Sequence, residues 1–489
     1  MARKVVQTDT DNKDGQVKCP SCGATDISTN LKTGKLRCNF CRFEFNLDKV
    51  KGMVENLEEL KGEVIGSGAS DISKSADSKL MVTLKCESCG AEVVIEADET
   101  TQARCHWCRN TLSINNQLPN GAIPDVVLPF GVTKADAEAE IRKFVEKRKF
   151  FAHPKFKAEF TTENICGVYF PYMLIDVNGH ASFSGTGEHQ TRSYTVGSGN
   201  NKKHYYDADA YHVERDFDIL IHGLSLESSA DKLHNSKDST NNVINAIMPF
   251  DTENCVCFNA NYLRGFTSEK RDTNIDDLKE IARNEATDVA RFAANESLAH
   301  YDRGVAWNTQ KFEAHGQQWQ SAYLPVWLYS YQQKKGEESL LHYVAVNART
   351  KEVMGSVPIH QPKLLLISAL IEILGALAIF GFRPSKSSEG TLVFLLVGPL
   401  FYFIMYLRYR NINARHCHET ETKKEVKNLK KVDKFIEKRK KLRSPVVSGY
   451  NNTAVSSRSN DAISKLTTNF MNGQVFNQID KFNNKGGNI

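Results

Sequence analysis

Eight cysteines carry the most specific chemistry in this chain. Cys19 and Cys22 are separated by two residues in VKCPSCGA, and Cys38 and Cys41 follow in CNFC. Cys86 and Cys89 in LKCESCGA, then Cys105 and Cys108 in CHWC, repeat the pattern at a constant offset of 67 residues. Gly23/Gly90 and Arg42/Arg109 shift by the same 67, so the unit is an internal duplication. Two residues between cysteines let both thiolates meet one ion from a tight turn. Two such turns complete a tetrahedral shell. The spacing predicts one structural zinc ion per copy, two in all. Disulfides are the rival reading, and two well-spaced quartets in a chain that opens on polar residues argue against it. A closed four-thiolate shell leaves no position for water or substrate, so the metal builds rather than catalyses. Each unit is about 30 residues, too short to bury a core unaided, and zinc supplies about 10–16 kcal/mol apparent. The glycine after each first pair predicts a turn with positive φ. His106, lying between two ligands, reads as a bystander.

Elsewhere the chemistry thins. Cys255 and Cys257 fall on one face of a strand-like run, with no third ligand nearby in sequence. His153, His180, His189, His204 and His212 are scattered and read as surface or satisfied core residues. Residues 68–75, GASDISKS, put serine where a phosphate-binding loop needs its second glycine. No catalytic constellation emerges, and the sequence predicts no enzyme.

The elements around these residues suggest a multidomain α+β protein. Zinc ribbon 1 spans 15–48, a Gly/Ser-rich linker 49–80 and zinc ribbon 2 81–116. A cytoplasmic α+β domain covers 125–360. In it, Thr133 caps a helix running to about residue 149, and 276–299 has helical spacing. Strand-like runs cover 168–177, 181–187, 204–214, 255–263, 322–332, 340–347 and 352–357, with 347–351 as a hairpin turn. Two of these runs share Tyr-x-Pro-x-x-Leu, at Tyr169 and Tyr323. Their prolines suggest edge strands or strand starts.

Residues 364–382 and 391–407 are two mostly apolar runs separated by a short loop. The first, at 1.5 Å per residue, reaches about 28 Å, close to a bilayer core. They predict a transmembrane helical hairpin. Basic residues after the second run place both termini in the cytoplasm. Glu372 falls in the middle of the first run, and Pro399 in the second removes the partner of the Leu395 carbonyl, to which a protonated Glu372 could donate. The net charge of +5 hides a local surplus: residues 408–443 hold fourteen Lys/Arg against five Asp/Glu. That segment reads as a basic juxtamembrane helix on anionic lipid, followed by a disordered tail, 444–489. Ribbon 1 has five basic and two acidic residues over 18–45; ribbon 2 has three and five over 85–114. The second therefore lacks the basic face that nucleic acid requires.

This order of parts, with GVYFPYMLID, SAYLPVWLYS and YVAVNARTKEV, resembles the TFIIB-type zinc-ribbon membrane proteins of Firmicutes. These YdjG-like proteins are associated with phage-shock protein A operons and are often mislabelled primosomal protein N′-like. The resemblance implies a non-enzymatic scaffold that gathers protein partners at the membrane under stress. A membrane-tethered nucleic-acid binder is the alternative, and a transport or proton-linked component using Glu372 a weaker one.

Overall fold

The computed structural model describes residues 2–6, 18–24, 26–30, 33–46, 53–70, 81–86, 91–96, 103–107, 109, 112, 117–118, 123–161, 164–197, 203–229, 247–271, 273–335, 338–381, 396–410, 422–435 and 442–446. The chain divides into two compact units. The first comprises Met1–Val177, Ile221–Ala282 and Gly316–Lys423; the second comprises Asn178–Leu220, Arg283–His315 and Lys424–Ile489.

The first unit is built on a mixed sheet. Arg3–Val6 pairs in parallel with Gly62–Gly66, which pairs in parallel with Val305–Lys335 through Gly316↔Gly62. Cys166–Val196 comes next, then Thr267–Glu269, Glu92–Glu96 and Met81–Lys85. The segment read as a linker therefore supplies a sheet strand. Its Val-Ile pair, Val64 and Ile65, is buried. The Gly68 and Ser321 N–H groups both donate to the buried Asp125 carboxylate, at 2.7 and 2.8 Å. Two backbone donors on one carboxylate satisfy its buried oxygens and pin three segments together.

The expected helices form where capping predicts. Lys134–Glu146 starts at Thr133, whose hydroxyl accepts from the Asp136 N–H. Ile275–Asn295 is the longer one. Glu338–Asn347 and Val353–Gly355 make the expected hairpin. Asn347 fixes its turn: its amide donates to the Ile247 and Pro249 carbonyls, and its oxygen accepts from the Arg349 and Thr350 N–H groups. The two Tyr-x-Pro runs are not edges. They occupy neighbouring interior strands, with the Tyr169 and Tyr323 rings stacked at 6.1 Å. Each proline still joins the backbone network as an acceptor, Pro171 from Ser228 and Pro325 from Ala348. Of the run 255–263 only Val256–Cys257 is strand, followed by a 3-10 turn over Ala260–Leu263.

Two helices, Gln361–Gly381 and Val397–Arg410, form from the apolar runs and pack on one another. Among the described residues no helix is long and apolar enough to cross a membrane. Val397 opens the second helix, so Pro399 stands in the first turn, where a missing N–H costs little. The Leu395 carbonyl, expected to accept from Glu372, lies outside the described residues. The Glu372 side-chain oxygen accepts from the Gly398 N–H at 2.7 Å, satisfying one of the unpaired donors of the helix N-terminus. A side chain at Gly398 would collide with the Ser368 carbonyl and Glu372, which fixes how closely the two helices approach.

In the second unit, strands alternate inward and outward residues. Val213, Leu298 and Tyr301 are buried together, with Tyr211, Val305 and Trp307 packed against them. Residues 423–435, expected as a basic helix, are the strand Lys423–Phe435 on Lys203–Glu227. Leu442–Val446 pairs with the same strand, Ala208↔Leu442 to His204↔Val446. An open ladder outweighs helical spacing of a few apolar residues. Beyond 446 the expected disordered tail lies outside the described residues.

Candidate metal centre

The first cysteine quartet is assembled by its own sheet. Ile27–Asn30, Lys35–Cys38 and Glu44–Phe45 are antiparallel, with Ile27 opposite Cys38 and Leu36 opposite Phe45. The sheet holds Cys38 at a strand end, and two turns supply the other sulfurs. Cys19 Sγ lies 3.5 Å from Cys41 Sγ, and Cys22 Sγ lies 3.6 Å from Cys38 Sγ. Four Zn–S bonds of about 2.3 Å give a tetrahedral edge of about 3.8 Å, so these sulfurs fit one zinc ion with little movement. The thiols are unequal without a cation. The Phe43 N–H draws Cys41 down to about 6. At Cys22 the Ala24 N–H pulls down, but desolvation and the neighbouring thiols raise it to about 12. A dication among them lets all four ionise, which is the chemistry of a structural zinc site. Cys19, Cys22, Cys38 and Cys41 thus form a site consistent with one zinc.

The second quartet is described in part. Cys86 and Cys105 are buried, and Cys89 and Cys108 lie outside the described residues. Two of its backbone bonds repeat those of the first copy. Cys19 N–H donates to the Ala24 carbonyl at 2.8 Å, and Cys86 N–H to that of Ala91 at 2.9 Å. Arg42 N–H donates to the Cys38 carbonyl at 3.0 Å, and Arg109 N–H to that of Cys105 at 2.8 Å. Gly23 has the expected positive φ, 71°, and Arg42 and Arg109 share one the sequence did not announce, 65° and 66°.

The surroundings of the two copies differ. Asn39 and Phe40 lie between the last two cysteines of the first, and Phe40 is 82% exposed. His106 and Trp107 hold the equivalent positions of the second, and Trp107 is 9% exposed. Trp107 donates from Nε1 to Glu269 at 2.6 Å and packs edge-on against Phe170 and Tyr343. His106 turns inward too. Its Nδ1 lies 3.2 Å from the Thr267 hydroxyl, and its carbonyl accepts from Ser330 at 2.7 Å.

Other candidates scatter. Cys255 and Cys257 join no group of three ligands among the described residues, and burial pushes the Cys255 thiol up to about 12. One group that sequence reading did not assemble brings His180, Asp218 and His315 together, from three distant segments. Only His180 was among the candidates, and no local spacing links the three.

The chain is similar to the "Uncharacterized protein YdjG" of Bacillus subtilis (strain 168). The two are 26% identical over 353 residues, covering 71% of this chain and 91% of that protein. That relation is consistent with the YdjG-like resemblance. No family model and no solved structure matches the chain.

Proposed function

We propose that this chain is a membrane-anchored, non-enzymatic scaffold of YdjG-like type. In this reading its two zinc ribbons and its α+β domain hold protein partners at the cytoplasmic face of the membrane. One observation supports it above the rest. The paired helices expose Leu365, Leu366, Leu370, Ile373, Leu374 and Leu377 on one member and Leu396, Leu400 and Ile404 on the other. An apolar surface of this extent is unstable in water and marks a lipid or protein interface. The sequence run extends it into 382 and 391–395, so two spans with an external loop at 383–390 fit the lengths.

The hairpin base supports an anchor with little play. Tyr409 reaches into the core with its hydroxyl, whose oxygen accepts from the Phe151 N–H at 3.0 Å. Leu364 and Tyr409 are buried in the domain core, with Phe401 and Met405 against it. Arg408 and Arg410 stand at the exit, where the inner leaflet's anionic lipid would meet them. The second ribbon holds a second zinc ion, and the exposed Phe40 of the first offers an aromatic contact to a partner. Phage-shock-type membrane proteins are the partner class the resemblance implies.

Membrane fractionation tests the anchor. The chain should stay in the pellet through alkaline carbonate extraction, and a protease site inserted at 383–390 should be cut from outside intact cells. A chain released by carbonate would overturn the membrane reading. A cross-linking pull-down with and without nuclease tests the scaffold: partners lost on nuclease treatment would replace it with nucleic-acid binding.

A further inference from the structure

The outward face of the second unit carries a cluster that the scaffold reading does not use. His180 lies on Cys166–Val196, Asp216 and Asp218 on Lys203–Glu227, and His315 on Val305–Lys335. Those three strands are neighbours in one sheet. His180 Nδ1 is 2.7 Å from Asp218 Oδ1, and His180 Nε2 is 3.0 Å from Asp216 Oδ1. His315 completes the group, its ring 6.3 Å from that of His180. Ligand atoms of His180, Asp218 and His315 all lie within 4.8 Å of one another.

We propose that His180, His315 and Asp218 bind a divalent transition-metal ion, zinc being the probe of choice, in an open site distinct from the ribbons. The donor set is two imidazoles and a carboxylate, which suits first-row divalent ions. Asp218 faces Nδ1, so Nδ1 is the nitrogen that shares the ion with it. Asp216 then accepts from Nε2–H and fixes the tautomer that leaves Nδ1 free to ligate. A carboxylate on the far nitrogen of a ligating histidine is the usual support of such sites. For bonds of about 2.1 Å a tetrahedral edge is about 3.4 Å, so the 2.7 Å pair opens by about 0.7 Å and His315 draws in. All three side chains are partly exposed.

Three protein ligands leave a fourth position for water or for a ligand from a partner. The ion is therefore exchangeable, unlike zinc enclosed by four thiolates.

The test uses the untagged full chain in detergent, titrated with Zn2+ and with Co2+ after mild chelation that spares the thiolate sites. Wild type should take up one equivalent beyond the thiolate-bound metal, with a cobalt spectrum lacking the sulfur charge-transfer band. His315→Ala should abolish that equivalent while the thiolate metal and the thermal transition stay unchanged. Asp216→Asn should keep the stoichiometry and weaken the affinity about 10–100-fold. If His315→Ala folds poorly, Asp218→Asn carries the same expectation of a lost equivalent. Equal metal content and affinity in wild type and these variants would overturn the site.

Discussion

The two cysteine units share backbone, spacing and turn geometry, yet they are joined to the protein differently. Unit one keeps a separate three-stranded sheet and touches the core through side chains, burying Ile27 and Leu36. Unit two gives its strands to the main sheet, where Val94 pairs with Ser268, and sinks Trp107 into the core. The difference follows from residues between the last two cysteines. Asn39 is polar and stays local, bonding Asp26 and Ser28, so Phe40 is left in solvent. His106 and Trp107 find Thr267 and Glu269 waiting in the sheet. One duplicated fold thus yields an exposed module and a structural one.

The largest test is ligand removal. Cys86→Ser should destabilise the main sheet together with ribbon two, because the second zinc proposed there would contribute about 10–16 kcal/mol apparent, comparable to the whole stability of a domain. Cys19→Ser should lose one zinc and melt ribbon one alone, leaving the main thermal transition in place. Bound zinc by mass spectrometry and calorimetric transitions report both. Identical behaviour of the two variants would erase the contrast.

Next comes Trp107→Ala, which leaves a cavity and removes the Nε1 hydrogen bond to Glu269, and should cost about 3–5 kcal/mol. Phe40→Ala at the equivalent position should stay within about 0.5 kcal/mol in chemical denaturation, and should weaken partner capture instead.

A smaller asymmetry lies at the matched positive-φ arginines. A non-glycine residue there costs about 1–2 kcal/mol, so Arg42→Gly should stabilise by up to about 1 kcal/mol. Arg109→Gly should gain nothing net, because Arg109 lies over the Tyr329 ring at 4.6 Å and that cation–π contact offsets the relief.

The smallest effect is a pH dependence. The Asn39 amide and the Arg264 guanidinium hold the Asp26 carboxyl below its ordinary range. Its contribution is therefore full above the unfolded value of about 3.9 and fades as pH falls through the depressed one. Asp26→Asn should flatten that part of the ribbon-one melting profile below about pH 4 and change nothing acid-sensitive in ribbon two.

Much of this was legible in the chain. Cysteine spacing located the first metal site, and Thr133 announced its helix. The long strands were only half visible, for a steric reason. Along Cys166–Val196 several inward positions are glycines: Gly179 faces Phe312, Gly185 meets the Ala306 carbonyl, and Gly187 faces Tyr301. A buried face made of glycine shows no hydrophobic alternation. The His180 cluster was illegible because pairing register, not local spacing, brings its strands together. The linker reading failed for the opposite reason: a five-residue strand, Gly62–Gly66, sits among glycines and serines that mask it.

That strand has a consequence for the order of events during synthesis. Gly62–Gly66 takes its place beside residues about 250 positions further on, Gly316–Trp319. At about 5–20 residues per second the ribosome needs about 10–50 s to deliver them. Ribbon one, by contrast, has every ligand and strand in hand by Phe45. Its thiols can capture zinc while most of the protein has yet to be made, and the nascent chain then carries one finished module ahead of a sheet that must wait for its central strands.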